Sequence, residues 1–295
     1  MKIAVFGRIT EKTSYPQLET FFAFLRERKI AYAVQPAYAQ ELRDHLPSWD
    51  SLVGPHMLAN DQELDEVDFA YSFGGDGTLL NSVRQLKGRD VPVLGVNFGR
   101  LGFLTSVMQE QLIPATEDLM RGIFRVETRS AIEVESDPPG LFGGRNFGLN
   151  DLTIHKSNTN EMITVHTYIN GEFLNSYWGD GLIIATPTGS TAYSLACGGP
   201  IIHPNAGVFV ITPVAPHSLT VRPIVIPDRY VISFEIESRS GQAMVALDTY
   251  TELVNQRTEI AVRRSDTPVK LVRTQGSKYL DMLRDRMMWG KDTRN

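Results

Sequence analysis

Near residue 125 the hydrophobic period of this 295-residue chain changes, and that change limits its possible architectures more than any other feature. Before it, short apolar runs at 3–6, 30–34, 67–73 and 91–96 alternate with segments of helical period. Within 16–29, Leu18, Phe21, Phe22 and Leu25 fall at i, i+3, i+4 and i+7 behind Pro16, which suits a first helical turn. Helical character returns over 78–86, after a glycine cluster. Strands alternating with helices predict βαβ units and a largely parallel sheet. Ligands of such sheets bind beyond the carboxyl ends of the strands. That rule singles out two loops, 74–78 and 97–102.

Past residue 124 the texture is β-rich, with segments at 124–135, 149–155, 162–169, 172–178, 181–186, 207–214, 221–226, 229–237, 243–248, 258–264 and 268–273. Asn170-Gly171, between two of them, is a strong hairpin signal. One short helix is expected near 190–197. A last helix is expected over 279–289, with Leu280, Leu283 and Met287 on one face. The expected fold class is therefore an α/β N-terminal domain with a mostly parallel sheet, followed by a β-rich C-terminal domain. The domain boundaries are expected at 1–124 and 125–273. No repeat or long Gly/Ser linker separates them.

Composition narrows the function classes. Hydrophobic residues make up 42% and charged residues 21%, which is ordinary globular usage. Lys and Arg number 29 against 34 Asp and Glu, a net charge of −5, and the cations are scattered, so no nucleic-acid footprint is expected. A polyanionic ligand would need local positive potential from backbone amides or a metal. The single cysteine, Cys197, excludes an internal disulfide and a cysteine zinc site. The four apolar residues before Gly7-Arg8 are too few for a signal-peptide core, and no run approaches the ~20 apolar residues of a membrane span. The expectation is a cytoplasmic protein without a membrane association. His45, His56, His155, His166, His203 and His217 show no metal-ligand spacing.

Four segments could carry chemistry. Gly74-Gly75-Asp76-Gly77-Thr78 follows a strand and opens a helix. Its glycines permit a tight turn and close ligand approach, and free amides at a helix start favour phosphate. A carboxylate there is repelled by phosphate unless it holds a metal or takes a proton from a nucleophile, both of which are phosphoryl-transfer roles. Taken alone such a turn is more often a local cap than a catalytic device. No Gly-x-x-x-x-Gly-Lys-Ser/Thr occurs. The second segment, from Gly179-Asp180-Gly181 to Thr186-Pro187-Thr188-Gly189-Ser190-Thr191-Ala192-Tyr193-Ser194, ends a buried strand in five Ser/Thr hydroxyls within nine residues. That density leans toward binding of ribose, amide or phosphate, with Tyr193 offering a ring face; an N-capped helix is the plainer alternative. Asn150-Asp151 can grip a ribose diol or a base edge, though taken alone such a pair is more often a turn or a cap. Asn97-Phe98-Gly99-Arg100-Leu101-Gly102-Phe103-Leu104 is a glycine-punctuated loop on the sheet edge of Asp76.

Together these segments resemble the NAD kinase family. Gly74 to Thr78 is similar to its GGDGT, and Asn97 to Thr105 to its N-x-G-x-LGFL-T stretch. Asn150-Asp151 stands where that family has Asn-Glu, and Asp180-Gly181 with Thr186 to Ser194 matches its DG-x₄-TPTGSTAYS almost letter for letter. Cys197-Gly198-Gly199-Pro200-Ile201, Pro216-His217-Ser218-Leu219 and Arg222-Pro223 continue the match, in order, over roughly 75–225.

The resemblance implies transfer of the terminal phosphate of ATP to the 2′-hydroxyl of the adenosine ribose of NAD, making NADP. It implies a site between the two domains and a C-terminal segment, 274–295, returning to the first. By motif match Asp76 would be the base, and Gly74, Gly75, Gly77 and Thr78 would receive phosphates. Asn150 and Asp151 would hold ribose or the nicotinamide-side nucleoside. Thr188 and Thr191, Ala192, Tyr193, Ser194, Leu195 and Ala196 would line the NAD pocket, Asp180 would reach a polar group of the dinucleotide, and Phe103 would sit against adenine. A divalent cation, Mg²⁺ by its chemistry, would screen the triphosphate without a dedicated protein cage. The partners implied are NAD and ATP, and a homo-oligomer, dimer or tetramer.

Two departures stand out: Asp151 is one methylene shorter than the family's Glu, and Asp248 precedes Thr249 where relatives carry Asp-Gly. Two other readings remain at this point. A lipid kinase of the diacylglycerol or sphingosine type shares GGDGT but does not call for the hydroxyl-rich segment. A non-catalytic dinucleotide-binding regulator would not need Asp76.

Overall fold

A computed structural model describes residues 1–8, 15–86, 88–99, 102–274 and 279–287 of the chain. They divide into two units, Met1–Glu127 with Lys270–Asn295, and Thr128–Val269. The expected boundaries were 124 and 273.

The first unit is built on a mostly parallel sheet. Its strand order is Ala31–Val34, Lys2–Gly7, Phe69–Phe73, Val93–Asn97, Val269–Arg273 and Arg125–Arg129, with the two-residue strand Val107–Met108 also pairing with Val93–Asn97. The inner strands are buried on both faces, which is why they read as unbroken apolar runs. The helix Tyr15–Glu27 lays Leu18, Phe21, Phe22 and Leu25 on this sheet, each burial worth about 1.5–3 kcal/mol. Phe21 packs on Tyr71 and Phe73 at centroid distances of 5.9 and 5.6 Å, so an aromatic cluster backs the strand that ends in the glycine turn. The helix Asp76–Gln85 leaves that turn.

The second unit holds two six-stranded antiparallel sheets. One runs Glu172–Gly179, Ile163–Ile169, Ile232–Glu237, Glu259–Arg264, Ile132–Asp137, Phe147–Gly148; the other runs Ile224–Pro227, Val208–Val214, Gly181–Ala185, Asp151–Lys156, Gln242–Leu247, Tyr250–Asn255. Alternating residues of both, among them Val165, Phe234 and Val262 from the first and Ile154, Ile184 and Phe209 from the second, form one core. The opposite face of Gly181–Ala185 is covered too, through Ile183 and Ala185 packed with Val210, Cys197 and Ile202. Asn170 and Gly171, at φ 50° and 82°, close the expected two-residue hairpin.

Several expectations change in detail. The β segment 124–135 is two strands, Arg125–Arg129 and Ile132–Asp137, which pair in different sheets. The helix near 190–197 is two single turns, Gly189–Thr191 and Tyr193–Ala196, because Ala192 (φ −100°, ψ −130°) leaves helical geometry. Helices Pro36–Arg43 and Leu112–Met120 and strands Val107–Met108, Phe147–Gly148 and Tyr250–Asn255 were not anticipated. The last helix is Tyr279–Met287; positions 288–289 of the expected span lie outside the described residues, as do Arg100 and Leu101. Among the described residues, no helix is long and apolar enough to cross a membrane.

Candidate functional site

In the first unit the chemistry gathers where Phe69–Phe73 ends. Gly74 has φ 142°, a conformation that a side chain rarely adopts, and a Cβ there would strike the Thr78 hydroxyl. Gly75 and Gly77 are exposed, and a Cβ on either would meet nothing within 4 Å. Asp76 is the first residue of its helix, which starts at Gly75 without a side-chain cap.

The Asp76 carboxylate is held by the second candidate loop. Its Oδ2 accepts a hydrogen bond from the Phe103 amide at 2.6 Å. Its Oδ1 accepts from the amides of Leu104 at 3.0 Å and Thr105 at 3.2 Å, and from the Thr105 hydroxyl at 3.4 Å. Asn97 shapes this loop from the neighbouring strand: its Oδ1 accepts from the Gly99 amide at 2.7 Å, and its Nδ2 reaches the Thr105 hydroxyl at 3.3 Å. Gly102 passes so close to Asp76 that a Cβ would overlap the carboxylate. The glycine turn and the 97–105 loop thus form one device that fixes a half-buried carboxylate in position.

Two cations that no motif reading singled out complete this unit. Arg273, 1% exposed, donates from Nη1 to the Leu104 carbonyl at 2.9 Å and from Nε to Glu127 at 3.0 Å. Arg286, on the last helix, places its guanidinium carbon 5.8 Å from the Phe103 ring centroid. Phe103, expected against adenine, therefore has a cation beside one part of its ring in this structure.

In the second unit, Asp248 lies at φ 53°, a left-handed conformation that Asp tolerates better than most residues. Its carboxylate accepts from the amides of Leu149 and Asn150, both at 2.8 Å, and of Asp151 at 3.1 Å, while its own amide donates to the Asp151 carbonyl at 3.0 Å. Asp248 thereby sets the Asn150-Asp151 turn. The sequence marks Asp248 only as a departure, Asp-Thr where relatives carry Asp-Gly, and does not show its role because the amides it holds are nearly a hundred residues away.

Asp151 is buried and accepts from the Thr153 hydroxyl at 3.2 Å. Burial foremost, and then the Asp248 charge, push its carboxyl up to about 7. The Asn150 Oδ1 is shielded from solvent and has no hydrogen-bond partner, which suits it to accept from a ligand donor.

The hydroxyl-rich segment is brought against this turn. The Thr186 amide donates to the Asn150 carbonyl at 2.8 Å, and its hydroxyl donates to the Leu149 carbonyl at 2.7 Å. Its hydroxyls have different tasks. Ser190 bridges the Pro187 carbonyl at 2.7 Å and the Ile202 amide at 3.0 Å, and Ser194 pairs with Thr212 at 2.8 Å. Thr186, Ser190 and Ser194 are buried and bond within the chain, the first two to backbone groups and Ser194 to a side-chain hydroxyl. Thr188 meets the buried Arg129 at 3.5 Å, and Thr191 donates to the Thr188 carbonyl at 3.2 Å.

Tyr193 and Ala196 are exposed, and Ala192 and Leu195 half-exposed. Burial foremost, then Cys197, Asp180 and Asp151, raise the Tyr193 phenol, so these four groups share a neighbourhood. The Asp180 carboxylate is paired with Lys156 at 2.7 Å. Among the described residues no three His, Cys, Asp or Glu side chains form a metal-binding group. The donors at the glycine turn suit a cation carried in mainly on its own phosphate ligands.

Residues 3–124 match a family model described as the ATP-NAD kinase N-terminal domain, and 149–274 one described as the ATP-NAD kinase C-terminal domain. Among curated proteins, the NAD kinase of Cytophaga hutchinsonii is 39% identical over 297 aligned residues, covering 100% of both chains. That of Bacteroides fragilis is 40% identical over 294 residues, again 100% of each. Among solved structures, yeast NADH kinase complexed with NADH aligns with a TM-score of 0.86 at 23% identity, over 99% of this chain and 88% of that one. An NAD kinase from Archaeoglobus fulgidus in complex with ATP aligns with a TM-score of 0.74 at 24% identity, over 98% and 99%. At these identities the two structures speak to the fold.

Proposed function

The chain belongs to the ATP-NAD kinase family, and from that premise we propose that it transfers the terminal phosphate of ATP to the 2′-hydroxyl of the adenosine ribose of NAD, with Asp76 as the base. The lipid-kinase and regulator readings find no support among its full-length relatives.

In this reading the ribose oxygen forms a bond to the terminal phosphorus of ATP as the bond from that phosphorus to ADP breaks. The hydroxyl proton passes to Asp76 and then to solvent. The observation that carries the proposal is the hold on Asp76. Its Oδ2 accepts one hydrogen bond, from Phe103, and a carboxylate oxygen has room for a second. A carboxylate fixed in this way contributes about 10²–10⁴-fold by general base catalysis. Gly74, Gly75, Gly77 and Thr78 receive the triphosphate. A divalent cation, Mg²⁺ by its chemistry, would be held mainly by the triphosphate, with Asp76 the carboxylate of the glycine turn that would face it, and would supply charge neutralisation.

On the NAD side, the unpartnered Asn150 Oδ1 and the partly protonated Asp151 support a role in gripping a ribose or the nicotinamide-side nucleoside. Thr188, Thr191, Ala192, Tyr193, Leu195 and Ala196 line the pocket, Ser194 braces it, and Asp180 reaches the dinucleotide from its Lys156 pair. Phe103 takes the adenine end. A dimer or tetramer in the cytoplasm belongs to the same proposal; Phe173 and Trp178, exposed on an edge strand, support self-association.

The test is NADP formation from MgATP and NAD by the wild type and by Asp76→Asn. The variant is expected to lose about 10²-fold or more in kcat while binding NAD within a few-fold. Undiminished turnover by Asp76→Asn removes the base assignment, and absence of NADP from the wild type under every divalent cation removes the activity.

A further inference from the structure

We propose that Arg286, brought to the glycine turn by the C-terminal helix, donates to the phosphate of ATP that is being transferred, and that Arg273 is the buried positioning residue behind it. The proposal rests on the ATP-NAD kinase reading above and adds to it a cation from outside the glycine-turn motif.

The argument begins with hydrogen bonds that are not made. A guanidinium carries five N–H donors, and one left dry and unpaired is costly. The Arg286 Nη1 is shielded from solvent and has no hydrogen-bond partner. The same holds for the Arg273 Nη2, on a side chain only 1% exposed. The nearby carboxylates are already engaged. Asp76 takes its hydrogen bonds from the 103–105 amides, and Glu127 pairs with the Arg273 Nε at 3.0 Å and with Arg125 at 3.4 Å. Two guanidiniums each keep an undonated N–H in this unit, and that of Arg286, the less buried of the two, is the one an incoming oxyanion would take.

Geometry narrows which oxyanion. The Phe103 ring, with the Arg286 guanidinium carbon 5.8 Å from its centroid, belongs to the residue whose amide holds Asp76. The ring contact steadies the guanidinium, whose Nη1 has no hydrogen-bond partner and is the atom left to donate. Arg273 reaches the same loop through the Leu104 carbonyl, so it couples the loop that fixes the base to the cation at the base. Burial lowers the Arg286 pKa; the Asp76 charge opposes that, Arg273 adds to it and Asp285 opposes it. The guanidinium is thus a charge that this unit compensates incompletely. Such a cation beside the attacked phosphorus stabilises charge on the transferring group, as arginines do in other phosphoryl transfers. The same unit carries the open glycines that admit phosphates, which favours ATP over the pyrophosphate of NAD as the source of the oxyanion.

Full-length Arg286→Gln and Arg286→Lys test this through steady-state kinetics with each substrate varied in turn, calorimetric titration with inorganic tripolyphosphate, and thermal unfolding. Arg286→Gln is expected to lose about 10²–10³-fold in kcat/KM for ATP, with the KM for NAD within about threefold. Arg286→Lys is expected to recover about tenfold of that loss, because the charge returns without the fork. Tripolyphosphate affinity is expected to fall in Arg286→Gln at an unchanged unfolding midpoint. Wild-type kinetics toward ATP in Arg286→Gln overturn the proposal. A loss shared equally by NAD and ATP, with a lowered midpoint and no rescue by lysine, assigns Arg286 to packing and overturns it too. If Arg286→Gln does not fold, Arg286→Lys decides: a raised KM for ATP alone upholds the proposal, and unchanged kinetics overturn it. Wild-type protein that makes no NADP refutes the parent reading, while the tripolyphosphate titration still judges the anion site.

Discussion

Asp151 and Asp248 are two carboxylates of one turn with opposite surroundings. Asp248 accepts from three successive amides, whereas Asp151 is buried with one hydroxyl donor, from Thr153. The shorter side chain at the family's Glu position thus stays close to the backbone and pairs locally. Its carboxyl is raised from 3.8 to about 7, by burial first and by Asp248 second. Between those values the native state holds a proton that the unfolded chain has released, so native stability falls as pH rises. The contribution is complete below the unfolded value and is lost on approaching about 7. Asp151→Asn abolishes it. The wild type is expected to lose on the order of 4 kcal/mol relative to Asp151→Asn between about pH 4 and pH 8. Urea unfolding of both proteins across that range checks this, and parallel curves would refute the protonated state.

At the scale of elements, the 97–105 loop and the helix Asp76–Gln85 are coupled through one carboxylate. Gly102 is the point of closest approach, and any side chain there displaces Asp76. Gly102→Ala is expected to lower kcat about 10²-fold with little change in the unfolding midpoint, because Gly102 itself adds no side chain to the sheet or its aromatic backing, which takes Phe98 from this loop. Retained activity would show that the base tolerates displacement. The glycine turn was legible in the sequence because its signal is local: a strand, a cluster of glycines, a helix. The partition of hydroxyls in 186–194 was not. Five in nine residues suggested binding, yet Thr186, Ser190 and Ser194 secure the chain's own carbonyls, amides and hydroxyls. Which way a hydroxyl faces depends on Thr212 and Ile202, which come from elsewhere in the chain. Tyr250–Asn255 escaped notice because, as an edge strand, it buries little: only Val254 is inside.

Across the whole molecule the two units differ in how the chain builds them. Thr128–Val269 is one continuous stretch with its own core, and the Ser265 amide bonds to the Ala131 carbonyl at 2.9 Å near its two ends. A fragment of these residues is expected to fold by itself, with cooperative thermal unfolding and dispersed amide resonances. The first unit is discontinuous: the returning strand Val269–Arg273 lies between Val93–Asn97 and Arg125–Arg129 in its sheet. A fragment of residues 1–127 lacks that strand and Arg273, and is expected not to fold cooperatively. A cooperative transition in this fragment, or its absence in the other, contradicts the assignment.

The order of residues alone determined what depends on near neighbours: the change of period near 125, the α/β and β-rich halves, the Asn170-Gly171 hairpin and the glycine turn carrying Asp76. Tertiary structure decided what depends on contacts far apart in the chain. It set Asp248 beneath Asn150-Asp151, closed the amides of 103–105 on Asp76, and returned Arg273 and Arg286 to the loop around it. Periodicity and turn chemistry are written over a few residues, whereas the charge and hydrogen bonding around a carboxylate are set by whatever the folded chain packs against it.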